Sequence, residues 1–211
     1  MLYHGRMRPS IKGALVMLAV LVVAALAGTL VFVKATGLSA RDTPGSIETF
    51  VARGLRAWAI PADYDERINP VRGNEESIRN GMAHFADHCA TCHANDGSGN
   101  TAMGKGMFPP APDMRARATQ DLSDGTLFYI IEHGIRFTGM PSWGTGASEE
   151  EELTWHLVNF IRHLPKLTPE ELETMAAMNP RPPAEVRREL EEERFLRGDD
   201  PPPAEPAPSR R

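Results

Sequence analysis

Cys89-Ala90-Thr91-Cys92-His93 sets two thiols three positions apart with an imidazole directly after the second. This order is the pattern for covalent attachment of a c-type haem. On one helical turn both sulfurs can reach the two vinyl groups along one porphyrin edge, and the adjacent histidine is directed at the iron; a thiol pair acting alone has no use for His93. A thioredoxin-like pair expects a strand before it and an α/β domain around it, and neither is suggested by the flanking residues. A zinc site wants further ligands, and Cys89 and Cys92 are the only cysteines of the chain. The same count leaves no disulfide framework to stabilise a small core.

An electron carrier of this type usually completes the iron with a methionine sulfur, which favours the ferrous state. Met140 is the candidate, because Gly139-Met140-Pro141-Ser142-Trp143-Gly144 is a stiff loop between two predicted helices, where a chain can fold over the open face of the haem. The other methionines read as packing residues. Met82 falls on a buried stripe, Met114 fills core space, and Met103 and Met107 follow His93 too closely for easy reach to the other face. His133, at a helix end, is a minor candidate that more simply answers the helix dipole. His84, His88, His156 and His163 read as solvated helix residues.

These groups need helices to hold them, and the periodicities are helical throughout. Residues 1–12 carry Arg6, Arg8 and Lys12, and 13–33 run without a charge. As a helix that stretch spans about 31 Å, enough to cross a bilayer core. The positive flank predicts a cytoplasmic N-terminus and an extracytoplasmic remainder. A cleaved signal peptide is the alternative, with Ala25-Leu26-Ala27 as the processing site, but the apolar run is longer than a signal core. A connector, 34–73, contains an amphipathic helix marked by Ile47, Phe50, Val51, Leu55 and Trp58, suited either to the membrane surface or to covering the domain.

The compact domain is predicted over 74–165 as three to four helices around one haem. Its first helix opens on Asn74 and presents Ile78, Met82, Phe85 and Cys89. The middle helix starts at Ser123, presents Leu127, Ile130 and Ile131, and stops at Gly134. The last opens with Ser148-Glu149-Glu150-Glu151 as a capping box, buries Leu153, Leu157, Phe160, Ile161 and Leu164, and ends at Pro165. No stretch alternates as a strand would, so the fold class is all-α. After Leu167 comes one short helix capped by Thr168, within a Pro-rich, charged tail, 166–211, expected to be largely disordered. About 90 residues bury a modest surface, so the cofactor must supply part of the core and the apo-domain should fold poorly.

Taken together, residues 74–165 resemble the small single-haem, Met/His-ligated cytochrome c family in a membrane-anchored bacterial form. The likeness rests on Phe85 with the Cys89–His93 motif, Gly97-Ser98-Gly99, Pro112-Asp113-Met114, Leu122-Ser123-Asp124, Gly139-Met140-Pro141 and the terminal helix around Trp155 and Phe160. The resemblance implies that a proline carbonyl, at Pro112, holds the other nitrogen of His93, with Pro109 and Pro110 as near alternatives. The chain departs from the family at Phe160, where many relatives have tyrosine, and in a longer loop from Thr101 to Pro110.

The implied function is single-electron transfer by iron cycling between ferric and ferrous, on the periplasmic side of a bacterial cytoplasmic membrane, with no substrate chemistry. The chain would act with redox partner proteins, as a free carrier or as the haem subunit of a membrane oxidoreductase complex. A haem enzyme or gas sensor with a labile sixth ligand is the alternative from a different class. A net charge of -5 gives no basic surface for nucleic acid, and the twelve acidic against six basic side chains of 74–165 suit a partner with a basic docking patch.

Overall fold

The computed structural model describes residues 11–199, except the side chains of 148–150, and among them every regular element is helical. The chain divides into two units at Asp42 and Thr43. The first carries α1 (Ile11–Thr36), 26 residues with a mean hydropathy of 2.8 and no buried side chain. At about 1.5 Å per residue it is long and apolar enough to cross a membrane. It extends slightly beyond the predicted 13–33 at both ends.

The second unit opens with α2 (Ser46–Ala59) and the single turn α3 (Ala62–Asp65). The framework comes next: α4 (Glu75–His84), the single turns α5 (Ala90–His93), α6 (Ala102–Lys105) and α7 (Arg117–Gln120), then α8 (Asp124–His133) and α9 (Ser148–His163). The predicted N-caps hold at two of the helices. Asn74 Oδ1 accepts from the Glu76 and Ser77 amides at 2.8 and 3.3 Å, and Ser123 Oγ accepts from Thr126 at 3.0 Å. Gly134 ends α8 at φ +65°, where a Cβ would press on the backbone of Met140 to Ser142.

Helix α4 crosses α9 at close range. A side chain on Gly81 would run into the His156 carbonyl and the Phe160 Cβ, so glycine is what lets the two backbones approach. Around this crossing Phe85 tilts on Phe160 at 5.1 Å and Phe128 stacks on Trp155 at 4.3 Å. All four rings are buried, each contributing about 1.5–3 kcal/mol by burial.

Three expectations for α9 are corrected. Its N-cap is Ala147, so Ser148 lies inside the helix and not at the cap; the side chains of 148–150 lie outside the described residues. Leu153 is 44% exposed, and Trp155 and Val158 are buried instead. The reason is that α4 and α8 flank α9 on two sides, so 154–161 are buried without a break and a single stripe underestimates the contact. His156 is buried, not solvated. Its Nδ1 meets Ser77 Oγ at 2.8 Å, and Asn159 Nδ2 donates to Ser77 Oγ at 2.7 Å and to the Val71 carbonyl at 2.6 Å. Asn69 joins through Asn159 Oδ1 at 3.1 Å, so this network ties the end of the connector onto α4 and α9.

Beyond the domain, Thr168 and Glu171 form a full capping box for α10 (Pro169–Met178), and Met175 of that helix is buried. In the region predicted as a Pro-rich tail, α11 (Pro183–Arg197) is helical, with Pro183 at its first position and Gly198 closing it at φ +75°. None of its residues is buried, so its helicity rests on local propensity.

Candidate cofactor site

The helix that carries the thiols is not regular. Between α4 and α5, residues Phe85–Cys89 form a π-helical turn in which the Ala90 amide donates to the Phe85 carbonyl, five residues back. One inserted residue rotates the succeeding turn by about 100° relative to an unbroken helix. Phe85 thereby stays in the core while Cys89, Cys92 and His93 all face one cavity of about 480 Å³. The chain leaves the motif at Ala94, in the left-handed half of conformational space at φ +60°, and Gly97 and Gly99 continue the turn at φ +72° and +71°. The Gly99 amide then donates to the His93 carbonyl at 2.8 Å, which fixes the loop behind the histidine.

Electrostatics favour neutral forms here. Burial, with a small contribution from Cys92, pushes the Cys89 thiol up to about 12, and burial also raises Cys92. A thiol catalyst needs the opposite shift. Burial lowers His93 to about 4, leaving a neutral imidazole with a free lone pair. Its Nδ1 is the one buried side-chain nitrogen or oxygen without a hydrogen-bond partner among the described residues. The bond to the Pro112 carbonyl that the family resemblance implies is therefore not made in this structure, although Pro112 does line the cavity.

Met140 reaches the cavity from the loop between α8 and α9, and that loop is well tied. The Ile135 amide donates to the Met140 carbonyl at 3.1 Å, and the Met140 amide to Thr138 Oγ1 at 3.1 Å. Trp143 and Gly144 donate to the Ile131 and Glu132 carbonyls at 3.0 and 3.1 Å. Glu132 is buried and accepts from Thr154 Oγ1 at 2.5 Å, fastening the loop's base to α9. Met107 also lines the cavity and packs on Gly139, so a second thioether lies beside Met140. Sequence spacing makes Met107 look too near His93 to matter; the intervening loop brings it round. Met114 is buried and lines the same cavity, whereas Met103 is 55% exposed. His133 stacks on Tyr129 at 4.2 Å and does not line the cavity.

The rest of the lining is mostly apolar, from Phe85, Ile131, Leu157 and Ile161 together with residues 107–112. Two neutral thiols, an unprotonated imidazole with an orphaned ring nitrogen, a thioether and an apolar enclosure fit a covalently held haem. They do not fit a bare ion: among the described residues no three His, Cys, Asp or Glu side chains gather as a metal site. One contribution lies outside any motif. Glu48, Thr49, Ala52, Arg53 and Arg56 of α2 also line the cavity, so the predicted connector helix covers part of it.

Comparison with known proteins agrees. Residues 76–161 match the family model described as cytochrome C oxidase, cbb3-type, subunit III. No curated protein matches the chain. The match spans the motif and the Met140 loop and stops short of α1, α2 and α11.

Proposed function

From the premise that residues 76–161 are a c-type cytochrome domain holding haem c through Cys89 and Cys92, we propose that the protein passes single electrons at the outer face of a bacterial cytoplasmic membrane, anchored by α1. His93 and Met140, which line the same cavity, would hold the haem's iron. The observation that carries this reading is the convergence of Cys89, Cys92, His93 and Met140 on one apolar cavity.

The haem, once bound, supplies reversible exchange between ferric and ferrous iron. The protein's share is attachment, ligation and exclusion of water. Cys89 and Cys92 would hold the haem through two thioether bonds, each S–H adding across one vinyl group with no net oxidation. His93 offers the lone pair that burial keeps unprotonated. The Nδ1–H of His93, unpartnered in this structure, would go to the carbonyl of Pro112 in the same lining once the haem is bound, and so set the ring's tautomer and basicity. Met140, held by Thr138 and Ile135, would offer its thioether sulfur as a second protein ligand. The apolar walls keep solvent from the iron, which holds down the reorganisation that accompanies each electron.

Lys12 and the basic residues before it favour a cytoplasmic N-terminus, which puts the haem domain in the periplasm. The matched description names an oxidase subunit, and within this proposal the chain serves as a carrier or as the haem subunit of a membrane oxidoreductase. Purification in mild detergent separates the two: a stoichiometric complex means a subunit, a lone chain a carrier.

The deciding experiment is the optical spectrum of the ferric and ferrous protein with and without carbon monoxide. A low-spin haem indifferent to carbon monoxide is expected, and Met140→Ala should convert it to a form that binds the gas. Carbon monoxide binding by the unaltered protein would replace the carrier reading with an enzyme or gas sensor.

A further inference from the structure

Helix α2 lies outside the residues that match the family, yet one of its faces lines the haem cavity. Its two faces are sharply different. Ile47, Phe50, Val51, Leu55 and Trp58 project away, each at least 49% exposed. Glu48, Thr49, Ala52, Arg53 and Arg56 turn to the cavity. An amphipathic helix next to an apolar cavity would be expected to lay its apolar face inward. This one presents two arginines three positions apart.

Neither guanidinium has an acidic partner among the described residues, and burial together with the charge of Arg53 depresses the pKa of Arg56. Two like charges crowded at an apolar space are unfavourable unless an anion joins them. Two other titratable side chains besides the motif face the cavity. Glu48 is on the same helix and pairs with neither arginine, and His88, on the π-helical turn, lies 3.2 Å from Asp87. A haem with its vinyl groups tied to Cys89 and Cys92 still carries two propionate carboxylates, and the guanidinium fork matches a carboxylate in shape and charge.

We propose that Arg53 and Arg56 are the counter-charges of the haem propionates, so that α2 serves as a basic lid on the haem. The inference rests on the haem reading above and adds to it a segment that no family motif covers. Positive charge near the iron disfavours the ferric state, which carries one more positive charge than the ferrous. The lid therefore raises the reduction potential as well as holding the haem.

The test is a spectroelectrochemical titration of the full-length, haem-loaded protein against Arg53→Gln, Arg56→Gln, the double variant and the matching lysine variants. At fixed ambient potential the ferrous-to-ferric ratio of the double glutamine variant should fall about tenfold, equivalent to about 59 mV for one electron. Each single variant should fall less, and lysine should restore most of the loss. Glutamine variants that titrate with the unaltered protein would overturn the proposal. So would lysine variants that fall as far as glutamine, since shape and not charge would then matter. Should the double variant not mature, the single pairs decide by the same criterion. Covalent haem is measured on the same samples. Its absence from the unaltered protein would overturn the haem reading, whereas a loaded protein indifferent to these charges would overturn the lid alone.

Discussion

Cys89 and Cys92 are adjacent in sequence to the imidazole they serve, and their chemistry is accordingly the most legible part of the site. The raised thiol pKa values sharpen it, because a half-buried, neutral pair suits addition to vinyl groups and not thiolate exchange. Cys89→Ser and Cys92→Ser should each retain one thioether, seen as a red-shifted pyridine haemochrome, and the double variant should release its haem to acidified acetone. Retention by the double variant would mean another attachment. Met107, Arg53 and Arg56 are not legible, since each is brought to the cavity by a loop or helix whose path depends on contacts remote in sequence. Ala94 is a different case. A non-glycine residue at φ +60° and ψ 156° directly after His93 is strained by about 1–3 kcal/mol. Ala94→Gly should therefore stabilise the loaded protein by about 1 kcal/mol, the relief exceeding the added chain entropy. Denaturant titration measures this, and a loss of stability would show that the backbone is not strained there.

Three of the four helix starts read from capping residues hold, because a cap is a local hydrogen bond that needs no tertiary partner; the fourth, Ser148, falls inside α9. Asn74, Ser123 and Thr168 all cap as their positions suggest. Failures occur where a helix is contacted from two sides, as at Leu153 and His156, or where one extra residue enters a turn, as at Phe85–Cys89. Gly81 shows the cost of ignoring the partner helix. Gly81→Ala would ordinarily favour a helix, but here it must push α4 off α9 and should lower stability by about 1–3 kcal/mol, visible as a lower melting temperature. The α3–α8 junction adds a pH dependence. Asp65 Oδ1 accepts from Ser123 Oγ at 2.6 Å and Thr126 Oγ1 at 2.7 Å, and these bonds hold its carboxyl below the usual range. A carboxyl whose pKa is lower folded than unfolded stabilises the fold above its unfolded value of about 4, and that contribution is lost as pH falls through the folded value. Asp65→Asn should thus narrow its deficit relative to the unaltered protein on going from neutral to acid pH. A deficit constant with pH would place the stabilisation in shape and not in charge.

At the scale of the whole chain, two features act together: an apolar α1 that can confine the haem domain to a surface, and an acidic excess of twelve to six in residues 74–165. Confinement raises the local concentration of carrier and partner without any new contact. Charge then governs how an encounter orients. The ion pairs within the domain, such as Arg115 with Asp96 and Asp113, neutralise only some of the acids, and the haem propionates would add two more negative charges, which Arg53 and Arg56 oppose at one edge. The net field outside the domain should therefore be negative and should steer it to a basic docking patch. Steering of this kind weakens once the Debye length falls to about 8 Å near physiological salt and to about 3 Å at 1 M. Electron transfer from the full-length protein, reconstituted in vesicles, to its partner should accordingly slow as ionic strength rises, by about tenfold or more across that range if association limits the rate. Stopped-flow oxidation monitored at the haem absorbance measures it. A rate independent of salt would mean that partner and haem domain are already docked when the electron moves, which is the behaviour of a fixed subunit and not of a diffusing carrier.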